Sequence, residues 1–172
     1  MKPTVKKFFS LAGFLLIAGC GYHLVGSGTA LPSHIKTIAI PVFGNTSTQP
    51  NIHRDITNVI RQSFIKDGRL KVVGNTQKAD LVMKGVFTTY NLQAVSFTTQ
   101  DVAREYYVQL GGNIDVLDRV KKKRFLKQDF YTKWDFQTDA DVINSEAARQ
   151  VALKDAYRVL GNRLVSIVID QF

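Results

Sequence analysis

The sequence predicts an α+β domain: a mixed, largely antiparallel sheet of four to five strands with two amphipathic helices packed on one face, in the order β-α-β-β-β-β-α. Three patterns lead to this. Apolar residues recur at helical spacing in two separate stretches, 52–66 and 145–169. They alternate with polar residues in two consecutive stretches, 105–116 and 126–136, joined by a short charged turn. Short β-branched runs flank the first helix.

The first strand is expected over 35–43, where Ile35, Ile38, Ala39, Ile40, Val42 and Phe43 supply apolar surface. Pro41 has no N–H to give a ladder, so the strand lies at an edge or ends there. A polar loop over 44–50 leads to a helix over 52–66, with Asn51 or Thr48 as its cap and Asp67-Gly68 as its stop. Ile52, Ile56, Val59, Ile60, Ser63 and Phe64 form its buried stripe; Arg54, Asn58, Arg61 and Gln62 form its wet face. A short strand follows over 69–73, then a longer one over 79–95. The apolar residues of the longer strand fall on both parities, which predicts burial on both faces at its start or a bulge near Gly85.

A polar loop over 96–102 precedes the hairpin. Tyr106, Val108, Leu110, Ile114 and Val116 share one face of its first strand, opposite Glu105, Tyr107, Gln109, Asn113 and Asp115. Leu126, Phe130, Trp134 and Phe136 alternate with Lys127, Asp129, Lys133 and Asp135 in its second strand, and residues 118–124 make the turn. One face therefore belongs to the core and the other is wet. After a loop over 138–143, Asn144 is expected to cap a second helix over 145–169. Its stripe reads Ala148, Val151, Ala152, Ala156, Val159, Leu160, Leu164 and Ile167, with Gly161 as a mild weakness inside it.

Ahead of this domain lies a different kind of segment. Lys2, Lys6 and Lys7, with no acid among them, precede an apolar run over 8–17 that is too short to span a bilayer, which takes about 20 such residues. This is a secretory signal pattern. It ends in Ile17-Ala18-Gly19-Cys20, and Cys20 is the only cysteine of the chain. The triplet resembles the bacterial lipobox, in which the cysteine thiol receives a diacylglycerol, the leader is cut before it and the new amino group is acylated. A thiolate is the right nucleophile for a thioether, and Ala18 and Gly19 leave the backbone open to a peptidase. The alternative is a plain leader whose Cys20 is a small buried hydrophobe. The expected division is residues 1–19 as signal peptide, 20–33 as a lipidated flexible tether with Gly21, Gly26 and Gly28, and 34–172 as one domain. Losing the leader removes three lysines, so the net charge falls from +9 to +6. Such a chain suits polyanionic partners, and an exported lipoprotein rarely meets nucleic acid.

Catalytic patterns are missing. His23, His34 and His53 have no i, i+4 partner, and no Gly-x-Ser-x-Gly turn occurs. Asp139 and Asp141, just before a helix, read as capping and dipole partners and not as a general acid and base. The expectation is a non-enzymatic protein with no metal and no cofactor beyond the diacylglycerol and N-acyl chain on Cys20.

The sharpest chemical feature is the hairpin turn. Arg119, Lys121, Lys122, Lys123 and Arg124 place five cations in six positions, with Lys127 close behind. One reading is a solvated turn whose charges discourage edge pairing. The other is a tip that holds the phosphates of a diphosphorylated lipid, since clustered cations attract phosphate and arginine grips it with two donors. Tyr107 and Tyr131 on the wet face fit beside acyl chains or sugar rings, or serve as ordinary cross-strand partners.

Across 20–169 the sequence resembles the lipopolysaccharide-assembly lipoprotein family, LptE. The resemblance rests on Cys20-Gly21-Tyr22-His23-Leu24, on Leu31-Pro32 with Ile35, on Ile38-Ala39-Ile40-Pro41, on Asn45-Thr46 with Pro50, and on Ala79-Asp80-Leu81. It implies a lipid-anchored protein on the periplasmic side of the outer membrane. It also implies a large β-barrel partner of the LptD kind, in whose lumen the lipoprotein sits as a plug, and binding of lipopolysaccharide. The competing expectation is an accessory lipoprotein of another envelope complex, such as a secretion channel or a peptidoglycan-linked assembly.

Overall fold

The computed structural model describes residues 31–97, 99, 103–137 and 142–170, with the backbone alone for 142–146 and 148. Cys20, the leader, most of the tether, and Asp139 and Asp141 lie outside the described residues.

The strands are β1 (Thr37–Ala39), β2 (Gly44–Asn45), β3 (Lys71–Val72), β4 (Leu81–Phe97), β5 (Ala103–Asp118) and β6 (Lys123–Gln137); the helices are α1 (Ile52–Asp67) and α2 (Val142–Ile169). The expected order holds, with the two-residue β2 added before α1. One sheet runs β3-β1-β4-β5-β6, and β2 also pairs with β4. The β1–β3, β1–β4 and β2–β4 pairs are parallel; β4–β5 and β5–β6 are antiparallel. Both helices lie on one face. β1 is interior and stops at Ala39, two residues before Pro41, which is where a missing N–H would have broken the ladder.

Ile52, Ile56, Ile60, Ser63 and Phe64 of α1 are buried as the stripe predicts, and Thr57 joins them. The Thr57 hydroxyl explains its burial: it accepts the Phe43 N–H at 3.1 Å and donates to the His53 carbonyl at 2.5 Å. Asn51 occupies the cap position, but with a left-handed backbone (φ 63°) and no side-chain cap bond. Gly68 closes the helix at φ 77°, its N–H reaching the Phe64 carbonyl.

Leu81, Val82 and Met83 are all buried, so β4 does begin covered on both faces. The first register shift falls at Phe87–Thr89, a little beyond Gly85. Gly85 has another task. A Cβ there would stand 2.4 Å from the Phe43 ring, so the glycine lets that ring lie against the strand backbone. From Phe43 an aromatic row continues to Phe87 at 5.6 Å and to Phe130 at 5.5 Å.

The second helix requires three corrections. It begins at Val142, so Asn144 sits within its first turn and is not its cap; two β-branched residues at 142 and 143 made that turn look like loop. Val151 is 60% exposed, while Leu153, Tyr157, Val165, Val168 and Ile169 are buried. The true stripe is rotated, because α2 packs on α1 as well as on β6 and so buries a second flank. Gly161, read as a weakness, is a contact point: a Cβ there would lie 2.4 Å from Ser63 Oγ, so the bare backbone lets the helices cross closely.

Beyond Phe87, β4 has only β5 beside it among the described strands, and Asn91, Leu92, Gln93, Val95 and Phe97 are exposed. The β4–β6 sheet thus projects past the part backed by β1, β2 and β3.

Candidate phosphate-binding hairpin tip

β5 and β6 carry the basic turn. Asp118 pairs with Lys123 across the end of the hairpin, and Lys122 takes the left-handed backbone (φ 51°) that closes it. Between Val116 and Leu117 the register shifts, so that Leu117 faces Arg124 and Phe125 is the extra residue of a bulge.

Asp118 builds the tip. It is 1% exposed, yet fully engaged: one carboxylate oxygen accepts the Lys121 N–H at 2.9 Å, the other meets His34 Nε2 at 2.8 Å. Burial alone would raise its pKa. The backbone N–H groups of Lys121 and Val120 and the His34 side chain outweigh that and hold the carboxyl below its usual range. Asp80 does the same work one strand away. It accepts the N–H groups of Lys36 and Thr37 and the Thr37 hydroxyl, and these bonds overcome its desolvation to keep its pKa low. Its carbonyl accepts the Arg119 N–H at 2.8 Å.

The six predicted cations separate into two groups. Arg119 Nη1 donates to the Thr76 carbonyl at 2.6 Å. Arg124 grips Asp115 with Nε and Nη2 at 3.1 and 3.2 Å. Both arginines are thus anchored to the fold. Lys121, Lys122, Lys123 and Lys127 are exposed, and no ion pair with a described residue holds their ammonium groups. The geometry presents four free lysines on a framework of two fixed arginines. Behind the tip, on the sheet face away from the helices, lies a shallow cleft of about 390 Å³ lined by Val82, Lys84, Asp115, Leu117 and Arg124. Flexible ammonium groups beside it suit a phosphate, and Leu117 at 43% exposure gives an apolar neighbour.

The two wet-face tyrosines differ. Tyr107 is engaged across strands, with Lys133 Nζ 4.2 Å from its ring centre and its hydroxyl donating to Gln93. Tyr131 remains 46% exposed. His34 and Asp118, 84 residues apart, were not legible as a pair; the only hint was an aspartate opening a turn, where its side chain commonly takes the following N–H groups. Among the described residues, no cluster of three or more His, Cys, Asp and Glu side chains is arranged to hold a metal, and no helix is long and apolar enough to cross a membrane.

Several solved structures share the fold at low sequence identity. Protein XCC0632 from Xanthomonas campestris superimposes with a TM-score of 0.62 at 10% identity, over 83% of this chain and 89% of that one. The rare lipoprotein B from Shewanella oneidensis gives 0.52 at 12% identity, over 73% and 91%. The PelC dodecamer subunit from Paraburkholderia phytofirmans gives 0.54 at 11%, over 83% and 96%. No curated protein sequence matches. The LptE family model, described as lipopolysaccharide-assembly, matches residues 35–166, which takes in the whole sheet, all of α1, α2 but for its last turn, and the basic tip. The chain belongs to the LptE lipopolysaccharide-assembly family.

Proposed function

We propose that this protein is a non-enzymatic outer-membrane lipoprotein that plugs and helps assemble the β-barrel translocon for lipopolysaccharide and binds lipopolysaccharide as it passes to the outer leaflet. The family match over residues 35–166 carries the reading. The signal-like start and the lipobox-like Ile17-Ala18-Gly19-Cys20 support it, since they suit an exported protein with a diacylglycerol and an N-acyl chain on Cys20. The sheet face away from the helices supports it too: Asn91, Gln93, Lys133 and Asp135 give it a polar exterior that suits a water-filled lumen. The LptD-like barrel is the partner, and the tip lysines Lys121, Lys122, Lys123 and Lys127, on the framework of Arg119 and Arg124, are the phosphate-holding element.

Isolation of the tagged protein from gently solubilised outer membranes tests the partner. A barrel of far larger mass is expected with it; its absence sinks the plug reading, and recovery of a secretion or peptidoglycan-linked complex favours an accessory role there. For the tip, replacing Lys121, Lys122, Lys123 and Lys127 by glutamate is expected to weaken lipopolysaccharide binding at low ionic strength by at least about tenfold, with thermal unfolding little changed. Equal binding by wild type and variant would remove the tip from the mechanism.

A further inference from the structure

The tip does not stand alone at its end of the sheet. Register places the starts of β1, β3, β4 and β6 and the end of β5 in one row, through Thr37 opposite Lys71, Ile38 opposite Leu81, Leu81 opposite Asp118, and Asp118 opposite Lys123. His34, bonded to Asp118, brings the point where the tether joins the domain to the same row. Lys36, Lys71 and Lys78 flank it, all exposed; the Lys71 N–H bonds the Lys36 carbonyl, and Lys78 follows Thr76, which receives Arg119. With Lys121, Lys122 and Lys123 these make six ammonium groups on one end that no described residue holds in an ion pair.

The acids at this end offset that charge only in part. Asp80 and Asp118 turn inward onto N–H groups and His34, and Asp115 is taken by Arg124. At the helix ends Asp67 and Asp170 are shared by Arg69, at 2.8 and 2.6 Å.

Chain length then fixes what this end meets. Ten residues, 21–30, separate Cys20 from the first described residue, so the root of the domain stays within about 40 Å of the acylated sulfur even at full extension. A tether of this length keeps the end that carries both the root and the six lysines within reach of the leaflet in which the acyl chains sit.

We propose that this basic end docks on the anionic phospholipid headgroups of the anchoring leaflet, as a second, electrostatic membrane contact that orients the domain. The opposite end of the sheet, with Phe97 and Ala103, then points away from that leaflet. The inference rests on the acylation of Cys20 and deepens the tip reading. A headgroup phosphate and a lipopolysaccharide phosphate offer a lysine the same charge, and the docking commits to the headgroup. Each lysine brought to an anionic surface raises partitioning by about fivefold, and the effect fades beyond a Debye length of about 8–10 Å.

The test is a lysine-acylation footprint, read by mass spectrometry, of the full lipidated protein in vesicles. One set carries phosphatidylglycerol in phosphatidylethanolamine; the other is neutral, with phosphatidylcholine in its place. Lys36, Lys71, Lys78, Lys121, Lys122 and Lys123 are expected to lose reactivity about fivefold or more in the anionic vesicles and to regain it at about 0.5 M salt. Lys133 and Lys154 are expected to react alike in both. Equal reactivity of the basic end in both vesicles overturns the docking and leaves the anchor standing. Uniform protection of all lysines overturns it as well, as mere net charge. Protection that appears only when lipopolysaccharide is added to the vesicles assigns the lysines to the exported lipid and overturns the headgroup contact. An intact mass without acyl chains sinks the anchor first, and the docking with it.

Discussion

Asp118 shows how much one buried carboxylate organises. It ties the Lys121 backbone, the tether root through His34 and the end of β5 into one joint. Because the fold depresses its pKa, the stabilisation is fully present above the unfolded value of about 3.9 and is lost as pH falls through the lower folded value. The Asp118→Asn variant is therefore expected to be less stable near neutral pH by about 2 kcal/mol, and to lose less stability than wild type between pH 5 and pH 2. Denaturant unfolding at a series of pH values measures both. A parallel decline in the two proteins would show that other carboxylates carry the acid sensitivity. Gly161 makes a second prediction at this scale. Its hydrogen faces Ser63, so Gly161→Leu is expected to cost about 3 kcal/mol by overpacking. Gly161→Ala is expected to cost less, and adding Ser63→Ala to recover part of that loss, since the alanine Cβ meets Ser63 Oγ first. Strict additivity in that double-mutant cycle would mean the two residues do not touch as described.

Elements were legible where the buried residues keep to one narrow face. β5 alternates cleanly because one of its faces meets the helices and the other meets water: Val108, Leu110, Ile114 and Val116 are all fully buried, and Tyr107, Gln109, Asn113 and Asp115 are not. α1 was equally readable, since its buried residues keep to one stripe although it meets α2 as well as the sheet. α2 was not. It touches two partners, and its inward surface is wider than one stripe, so Val151 was assigned inward and Leu153 and Val168 were missed. The aromatic row explains why β4 carries glycine at 85. Phe87 is 1% exposed between Phe43 and Phe130, and Phe87→Ala is expected to destabilise the domain by about 4 kcal/mol, measured by urea unfolding. A loss below about 1 kcal/mol would mean the row packs loosely.

For the whole molecule, charge and order were legible in the chain: the cation run is contiguous in sequence, and so is the signal-like pattern that precedes Cys20. What the linear chain hid is which cations are free. Arg119 and Arg124 look like the best phosphate ligands, yet the carbonyl of Thr76 and the carboxylate of Asp115 take them. Those partners become neighbours only through strand register, as do the lysines at 36, 71 and 78 that join the tip. Composition sets the sign of the protein's field, and topology decides where that field is concentrated.

The projecting part of the sheet has a consequence for motion. Amides of Leu81 to Phe87 sit where the strand has neighbours on both sides and helices above it, whereas those of Leu92 to Phe97 have one neighbour and open water. Hydrogen exchange is expected to rise along β4 as a gradient, slowest at the root and faster by about a hundredfold or more toward Phe97. A molecule built this way is stiff where the chain enters the domain and compliant at its far blade, so the blade can change shape without loosening the stiff end.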